Sequence, residues 1–437
     1  MRNFNKFISL TIILFYSLIS HAAREITITE GHFERIPIAI NFFSSNNNQA
    51  SEFANKIVSV VNNDLSSSAF FKSIPTGAFI ENRIGVNHRP LFPSWRQIKA
   101  QLLLNGDVTL KGDKLEISFI IWDPTLEKDI YKEILELPAS LWRRSAHKIA
   151  DCIYQRITGD KGYFDSRVGY ISESGSQLKR IKRLAIMDFD GANHKFLTDG
   201  KHLVLTPRFS PKGDKILYLS YIHRTPRIYL KDIKTGRETV LGDFPGISFA
   251  PKFSPDGTKA LMSVAKNGAT NILEIDLRTK KTRKLTDGFT INTSPSYSPD
   301  GKRISFNSNR SGSRQIYVMD SDGSNIQRIS YGAGSYTTPT WSPKGDFIAF
   351  TRMGSGFSIG VMRPDGSEER IITNGYLVEG PTWSPSGRLI MFTREEKPAG
   401  KNPKQSNIYY IDLSGYNEQR VKTPKDASDP EWSNLLD

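Results

Sequence analysis

Few residues of this 437-residue sequence have the types and spacing that chemistry requires. There are seven histidines, none of them beyond His223, and no two have the spacing of a zinc-binding motif. The single cysteine, Cys152, excludes an internal disulfide and is typical of a small core residue rather than a reactive thiol. We therefore expect no metal site and no cofactor.

Two further kinds of chemical site would leave a recognisable pattern in the sequence. A serine hydrolase would need a Gly-x-Ser-x-Gly elbow followed by Asp and His, and we expect no such elbow here. The stretches Asp188-x-Asp190-Gly191 and Asp320-x-Asp322-Gly323 are similar to calcium loops, but the closing bidentate acid is missing. Hairpin turns explain these two stretches better. Since none of these patterns indicates a catalytic site, we expect a protein that is not an enzyme.

The dominant feature of the chain is a repeated phrase, an aromatic residue followed by Ser-Pro-x-Gly. Its prolines, at positions 211, 255, 299, 343 and 385, are 44, 44, 44 and 42 residues apart. The phrase occurs at Phe209–Gly213, Phe253–Gly257, Tyr297–Gly301, Trp341–Gly345 and Trp383–Gly387, and in truncated form at Trp432-Ser433. Tight turns and β-rich runs at a period of 40 to 50 residues are typical of a β-propeller with four strands per blade.

The ends of the repeats predict how the ring closes. The run 167–172 matches the second strand of later units, while the C-terminal Pro430-Glu431-Trp432-Ser433 matches a first strand with nothing after it. Placing the last strand in the first blade gives six complete blades and pairs two free edges. A weakly held cation in the central channel stays open as an alternative.

Residues 23–160 have no repeat and predict a small α/β domain, followed by the propeller over 161–437. Strands are expected at 36–43, 102–110, 115–122 and 130–137, and a helix at 50–65. A second helix, capped by Ser140, is expected to end at Gly159, with 160–162 as the hinge.

The first 22 residues have the form of a secretory signal peptide. A basic start is followed by an apolar run from Phe7 to Ile19, which is too short to span a bilayer, and by a small-residue exit at Ala22. The net charge is +14, scattered rather than clustered, and export argues against nucleic acid as a partner. We expect an exported monomer that does not span the membrane.

These features together resemble the TolB family, the periplasmic component of the Tol-Pal system of Gram-negative envelopes. The resemblance rests on the segment 157–167, on Tyr170-Ile171, on the turn 188–193, on six Pro-x-aromatic-Ser units and on the closing strand. It implies an adaptor that binds the lipoprotein Pal through the propeller and TolA through the N-terminal segment, and that supports outer-membrane integrity and constriction during division. Other outer-membrane proteins or peptidoglycan are further partners to consider.

The resemblance also points to particular residues. The Pal-binding loops correspond to Leu205, Thr206, Ile247, Ser248, Phe249, Ala250, Asn292, Thr293, Tyr336, Thr337, Val378 and Glu379. Ile247 departs from the family pattern, which has histidine there, and packing of the funnel is the alternative role for each of these residues. The TolA-binding segment corresponds to Arg24, Glu25, Ile26, Thr27, Ile28, Thr29 and Glu30, whose apolar alternation suits strand addition to a partner. Permanent docking of this segment on its own domain is the alternative.

Two functions of other classes remain open beside the adaptor. The basic charge and the aromatic residues of the propeller would suit direct binding of peptidoglycan or another envelope polymer. A propeller-containing hydrolase is the second alternative.

Overall fold

The computed structural model describes residues 34–176, 179–222, 225–242, 246–398 and 405–436. The predicted signal peptide (1–22) and the predicted TolA-binding segment (24–30) lie outside the described residues. Within the described residues, no helix combines the length and the apolar character needed to cross a bilayer.

The N-terminal region is a mixed sheet with helices on it. Its elements are β1 (Ile36–Ile40), β2 (Ser44–Ser45), α1 (Asn48–Ser67), β3 (Phe71–Ser73), α2 (Phe92–Gln97), β4 (Leu102–Lys111), β5 (Lys114–Asp123), β6 (Lys128–Pro138) and α3 (Trp142–Thr158). The sheet has the order β3-β1-β4-β5-β6, and β1 is parallel to both of its neighbours. Strands β2 and β3 and helix α2 were not predicted, because each is too short to show a periodic pattern.

The two long helices of this region show where local sequence rules succeed and where they fail. The side chain of Asn47 caps α1 by accepting the N–H of Ala50 at 2.8 Å. Helix α3 ends at Gly159 with a φ of 75°, as predicted. The predicted cap at Ser140 is wrong, because Ser140 lies within a 3-10 turn (Ala139–Leu141) and Leu141 precedes the helix without a side-chain cap.

The rest of the chain forms six four-stranded sheets, which confirms the predicted propeller. Blade 1 contains β7 (Arg167–Ser174), β8 (Ile181–Asp188), β9 (Lys195–Phe196) and the C-terminal strand β30 (Asp426–Trp432). The next three blades contain, in chain order, β10 (Val204–Phe209), β11 (Lys215–Ser220), β12 (Arg227–Asp232) and β13 (Glu238–Val240) in blade 2; β14 (Ile247–Phe253), β15 (Lys259–Lys266), β16 (Ala269–Asp276) and β17 (Thr282–Lys284) in blade 3; and β18 (Asn292–Tyr297), β19 (Arg303–Ser308), β20 (Gln315–Asp320) and β21 (Gln327–Arg328) in blade 4. The last two contain β22 (Ser335–Trp341), β23 (Ile348–Met353), β24 (Phe357–Met362) and β25 (Arg370–Gly375) in blade 5, and β26 (Leu377–Trp383), β27 (Leu389–Glu395), β28 (Ser406–Asp412) and β29 (Gln419–Arg420) in blade 6.

The repeated phrase makes the turn between the first and second strands of a blade. In blade 2, the hydroxyl of Ser210 accepts the N–H of Lys215 at 3.0 Å and donates to Asp214 at 2.7 Å. The N–H of Gly213, whose φ is 69°, bonds the carbonyl of Ser210 at 2.8 Å. Glycine takes this backbone conformation without the strain that a side chain would add. The serine side chain therefore holds the turn that its proline and glycine shape.

The C-terminal strand closes the ring, as predicted. Strand β30 pairs antiparallel with β7, placing Trp432 opposite Val168 and Asp426 opposite Glu173. The indole N–H of Trp432 donates to Ser166 at 2.8 Å, 266 residues away in the chain. Closure leaves blade 1 with the same four strands as the others and removes a free edge.

The N-terminal region and the propeller share one hydrophobic core at their junction. Tyr163 and Phe164, which follow α3, are buried with their ring centroids 4.3 Å apart. Tyr163 also packs edge-on against Tyr154 of α3 and Trp432 of β30, with centroids 5.4 and 5.9 Å away. The segment predicted as a hinge is thus followed at once by aromatic packing that joins the two parts.

Candidate functional site

The inner strand of each blade runs from one end of the central channel to the other. We call the end at which the inner strands begin the loop end, and the end that carries the Ser-Pro turns the turn end. Contacts of the N-terminal region that the structure describes lie at the turn end: Asp160 pairs with Lys344 and Arg388, which flank two Ser-Pro turns, and Arg143 pairs with Asp188 and Asp190. These contacts leave the loop end for another molecule.

Every inner strand contains a bulge at the residue before its proline. The residue there has a positive φ, between 48° and 65°, and the pairing register shifts at that point in all six blades. The six residues are Thr206, Ala250, Ser294, Thr338, Gly380 and Asp429. A bulge bends a strand and redirects its side chains. The repeated bulge therefore sets which side chains reach the loop end.

The structure divides the twelve predicted Pal-binding residues by burial. Four of them, Ser248, Asn292, Tyr336 and Val378, are no more than 3% exposed and pack inside the blades. Ile247 and Glu379 are exposed, and the remaining six are partly exposed: Leu205, Thr206, Phe249, Ala250, Thr293 and Thr337. Position in the inner strand explains the division, because the buried four all lie three residues before the proline. The partly exposed and exposed residues are the ones that a partner could contact.

Hydrogen bonds hold several of these positions in place. Asn292 donates to the carbonyl of Thr270 at 3.2 Å and accepts from the guanidinium of Arg310 at 3.2 Å. Asn307 donates to the hydroxyl of Thr293 at 2.7 Å. The hydroxyl of Tyr336 donates to Glu369 at 2.6 Å. The buried members of the predicted set thus support the loops around them.

A rim of exposed apolar side chains surrounds the loop end, and only Ile247 of these residues was predicted from the sequence. These residues come from the loops that lead into the inner strands of five blades, namely Leu203, Ile247, Phe289, Tyr331 and Tyr376. Phe289 is 91% exposed and Tyr331 is 72% exposed. Clustered exposed aromatics are typical of protein interfaces. Their place just before each inner strand was the sequence signal that could have found them.

A bridge of charged and polar side chains lies inside the channel, between its two ends. Lys252 donates to Glu431 at 2.8 Å, Thr382 donates to the same carboxylate at 3.2 Å, and Arg208 lies 3.7 Å from it. The ammonium of Lys252 is desolvated, which lowers its pKa. A cavity of about 380 Å³, lined by the Ser-Pro turns, lies at the turn end of this bridge. The bridge cross-links blades 1, 2, 3 and 6 at the centre of the ring.

A Gly-x-Ser-x-Gly pattern does occur, so our expectation that the chain lacks one is wrong. It spans Gly356 to Gly360, and Ser358 lies inside strand β24 rather than at a strand-to-helix elbow. The hydroxyl of Ser358 donates to Asn374 at 2.7 Å, and no histidine follows it in the sequence. The local structure therefore lacks what a nucleophile elbow requires.

Comparison with family models matches both parts of the chain. The TolB amino-terminal domain matches residues 24–130, and the TolB beta propeller domain matches residues 154–436.

Curated relatives and a solved structure match over nearly the full length. The Tol-Pal system protein TolB of Rickettsia bellii (strain OSU 85-389) is 56% identical over 436 residues, covering 97% of this chain and 98% of the relative. That of Rickettsia peacockii (strain Rustic) is 55% identical and covers all of both chains. The crystal structure of TolB from Acinetobacter baumannii is 27% identical, with a TM-score of 0.79, covering 92% of this chain and 97% of that one. The chain therefore belongs to the TolB family and is a component of the Tol-Pal system.

Proposed function

We propose that this chain is a periplasmic adaptor of the Tol-Pal system that has no catalytic activity. In this proposal, residues 23–160 and 161–437 form its two domains, the loop end of the propeller binds Pal, and residues 24–30 bind TolA. Simultaneous attachment to a lipoprotein and to TolA would let the adaptor support outer-membrane integrity and constriction during division.

The observation that carries the proposal is the exposed apolar rim of the loop end. Phe289, Tyr331 and Tyr376 present large exposed side chains at the loop end, which is the end of the ring away from the described contacts of the N-terminal region. Interface energy concentrates in aromatic side chains that become buried on binding. Inside the rim, the partly exposed Leu205, Phe249 and Thr293 give a second ring for a partner to fill.

Binding of purified Pal to the exported chain tests the propeller assignment. Thr293→Arg should place a long charged side chain in the opening and weaken the complex at least about tenfold, and Phe289→Ala should weaken it through lost apolar contact. The matched control is Tyr416→Ala, since Tyr416 is 79% exposed but lies between β28 and β29 at the turn end. Titration calorimetry measures the affinity of the wild type and of the three variants for Pal. Failure of the wild type to bind Pal, or equal binding by Thr293→Arg, would refute the assignment.

The TolA assignment needs a separate variant. Deletion of residues 24–30 should abolish binding of TolA while Pal still binds, because the two sites lie in different parts of the chain. Unchanged TolA binding after this deletion would show that the segment is not the site.

A further inference from the structure

A cluster of ionisable side chains joins the N-terminal region to the first blade, and the adaptor function does not use it. Asp188 ends strand β8, and Asp190 lies in the turn that follows it. Helix α3 places Arg143 and His147 against this turn, and α1 places Asp64 behind His147.

The imidazole of His147 is held by one nitrogen and has no partner at the other. Its Nδ1 lies 2.6 Å from Oδ2 of Asp64, and the side chains of these residues are 2% and 0% exposed. Its Nε2 is buried without a hydrogen-bond partner. A carboxylate on one ring nitrogen is the usual arrangement for a histidine whose other nitrogen binds a metal ion.

Two carboxylates lie beside this histidine. One ring nitrogen of His147 and one oxygen from each of Asp188 and Asp190 all lie within 4.8 Å of one another. Asp188 and Asp190 are 16% and 19% exposed, so solvent reaches the cluster from their side. An ion could therefore enter without unfolding the junction.

The charges of the cluster do not balance. Asp64, Asp188 and Asp190 can contribute three negative charges, against at most two positive charges from Arg143 and a protonated His147. Partly buried charge in excess of its counter-charge is costly, and a divalent cation would compensate it. Asn193 and Arg143 engage Oδ2 of Asp188, at 2.6 and 3.5 Å, which leaves its Oδ1 for an ion.

The equivalent turn of blade 4 shows which part of this geometry is special. Asn325 donates to Asp320 at 2.6 Å, as Asn193 donates to Asp188 at 2.6 Å, so the two turns share the same internal bond. The turn alone thus positions the carboxylates in both blades. In blade 1 a buried histidine from another domain is added to them.

We propose that His147, Asp188 and Asp190 form a site for one zinc ion that fastens the N-terminal region to the first blade. An imidazole nitrogen and two carboxylate oxygens are a ligand set that zinc accepts, with water completing the coordination. Asp64 is a positioning residue that orients the imidazole. The sequence showed the two carboxylates only as part of a calcium-like turn and could not reveal the histidine, because His147 lies on α3 about 40 residues earlier.

Zinc titration of the full exported chain, stripped with EDTA, tests the proposal. Calorimetry should show one equivalent of Zn²⁺ bound by the wild type, with a rise in the unfolding temperature. Asp190→Asn, which replaces the most exposed ligand and so perturbs folding least, should lose this equivalent, as should His147→Ala. Asp64→Asn should weaken binding roughly 10- to 100-fold. Absence of binding to the wild type overturns the proposal.

Two matched controls separate this site from zinc bound elsewhere. Asp322→Asn alters the corresponding turn residue of blade 4, and His88→Ala removes an exposed histidine. Both should bind Zn²⁺ like the wild type. Loss of the equivalent in either control, or its retention in Asp190→Asn and His147→Ala, would place the ion at another site and refute the assignment. Because Pal binding is measured without zinc, failure here leaves the proposed adaptor function standing.

Discussion

Asp151 is the residue on which the end of α3 and the start of the propeller converge. Its carboxylate accepts the backbone N–H groups of Phe164 and Asp165 at 2.8 and 2.9 Å. Burial nevertheless dominates and raises its pKa to about 7, because desolvation penalises the charged form more than the two N–H groups favour it. The protonated form is therefore the one that the folded junction favours.

This shift predicts a pH dependence of stability. A carboxyl whose folded pKa lies above its unfolded value stabilises the fold most below the unfolded value, and the contribution is lost as the pH rises through about 7. Between pH 4 and 8 the wild type should lose about 2–4 kcal/mol of unfolding free energy relative to Asp151→Asn, which cannot titrate. Denaturation by urea at a series of pH values measures the difference.

An exposed carboxylate provides the control for this pH dependence of the unfolding free energy. Asp129→Asn alters a residue at the solvent-facing start of β6 and should keep the pH profile of the wild type. A wild-type profile parallel to that of Asp151→Asn would contradict the expectation and would mean that the two N–H groups outweigh burial.

At the scale of elements, the closing strand β30 depends on one large side chain. Trp432 is 5% exposed, stacks on Phe189 at 5.5 Å with an interplanar angle of 8°, and contacts Tyr163 and Tyr410 edge-on. Trp432→Ala should cost about 3–5 kcal/mol, since it removes a buried aromatic and leaves a cavity. Hydrogen exchange should then show early loss of protection in β7, the partner of β30.

A tryptophan at the same repeat position separates closure from simple loss of packing. Trp341→Ala in blade 5 removes a side chain that is 6% exposed, but its strand β22 is joined to β23 by an ordinary turn. That variant should lose comparable stability while β7 keeps its relative protection. If both variants exposed β7 equally early, the closing strand would not be the weak point of the ring.

The inner strands show which features of an element the sequence could not specify. The period of the Ser-Pro turns predicted the blades, because each turn is made by residues adjacent in the chain, such as Ser210 and Gly213. The bulge one residue before each proline was not predictable. Proline disfavours the α region for the residue before it, but a positive φ at a threonine such as Thr206 or Thr338 runs against residue preference, so neither residue type indicates the bulge.

At the scale of the whole molecule, the candidate site shows the same difference between features set by residues adjacent in the chain and features set by the assembled ring. The residues that the sequence suggested for Pal binding lie in and before the inner strands, yet the sequence could not separate the buried Tyr336 and Val378 from the partly exposed Thr293. Burial of a side chain depends on the neighbouring blade, which one repeat does not encode. The rim residues Phe289 and Tyr331 were missed for the reverse reason, because apolar side chains in loops are usually assigned to the core.

The junction between the two parts also carries a prediction at this scale. Asp160 accepts a hydrogen bond from Arg388 at 2.5 Å and pairs with Lys344, so one carboxylate links the end of α3 to blades 5 and 6. Burial raises its pKa, but the bonds from Lys344 and Arg388 prevail and hold the pKa below its usual value. Asp160→Asn should therefore destabilise the docked arrangement by about 1–2 kcal/mol.

The salt dependence of stability identifies the contribution of the Asp160 ion pairs. Lys344 and Arg388 are 34% and 42% exposed, so ions screen the pair, and the difference between wild type and Asp160→Asn should shrink as salt is raised. Thermal unfolding at low and high salt measures it. Asp287→Asn is the matched control, because Asp287 also pairs with a lysine but is 88% exposed and should contribute almost nothing. Equal effects of the two substitutions would mean that the Asp160 pairs add nothing measurable to the docking of the N-terminal region on the propeller.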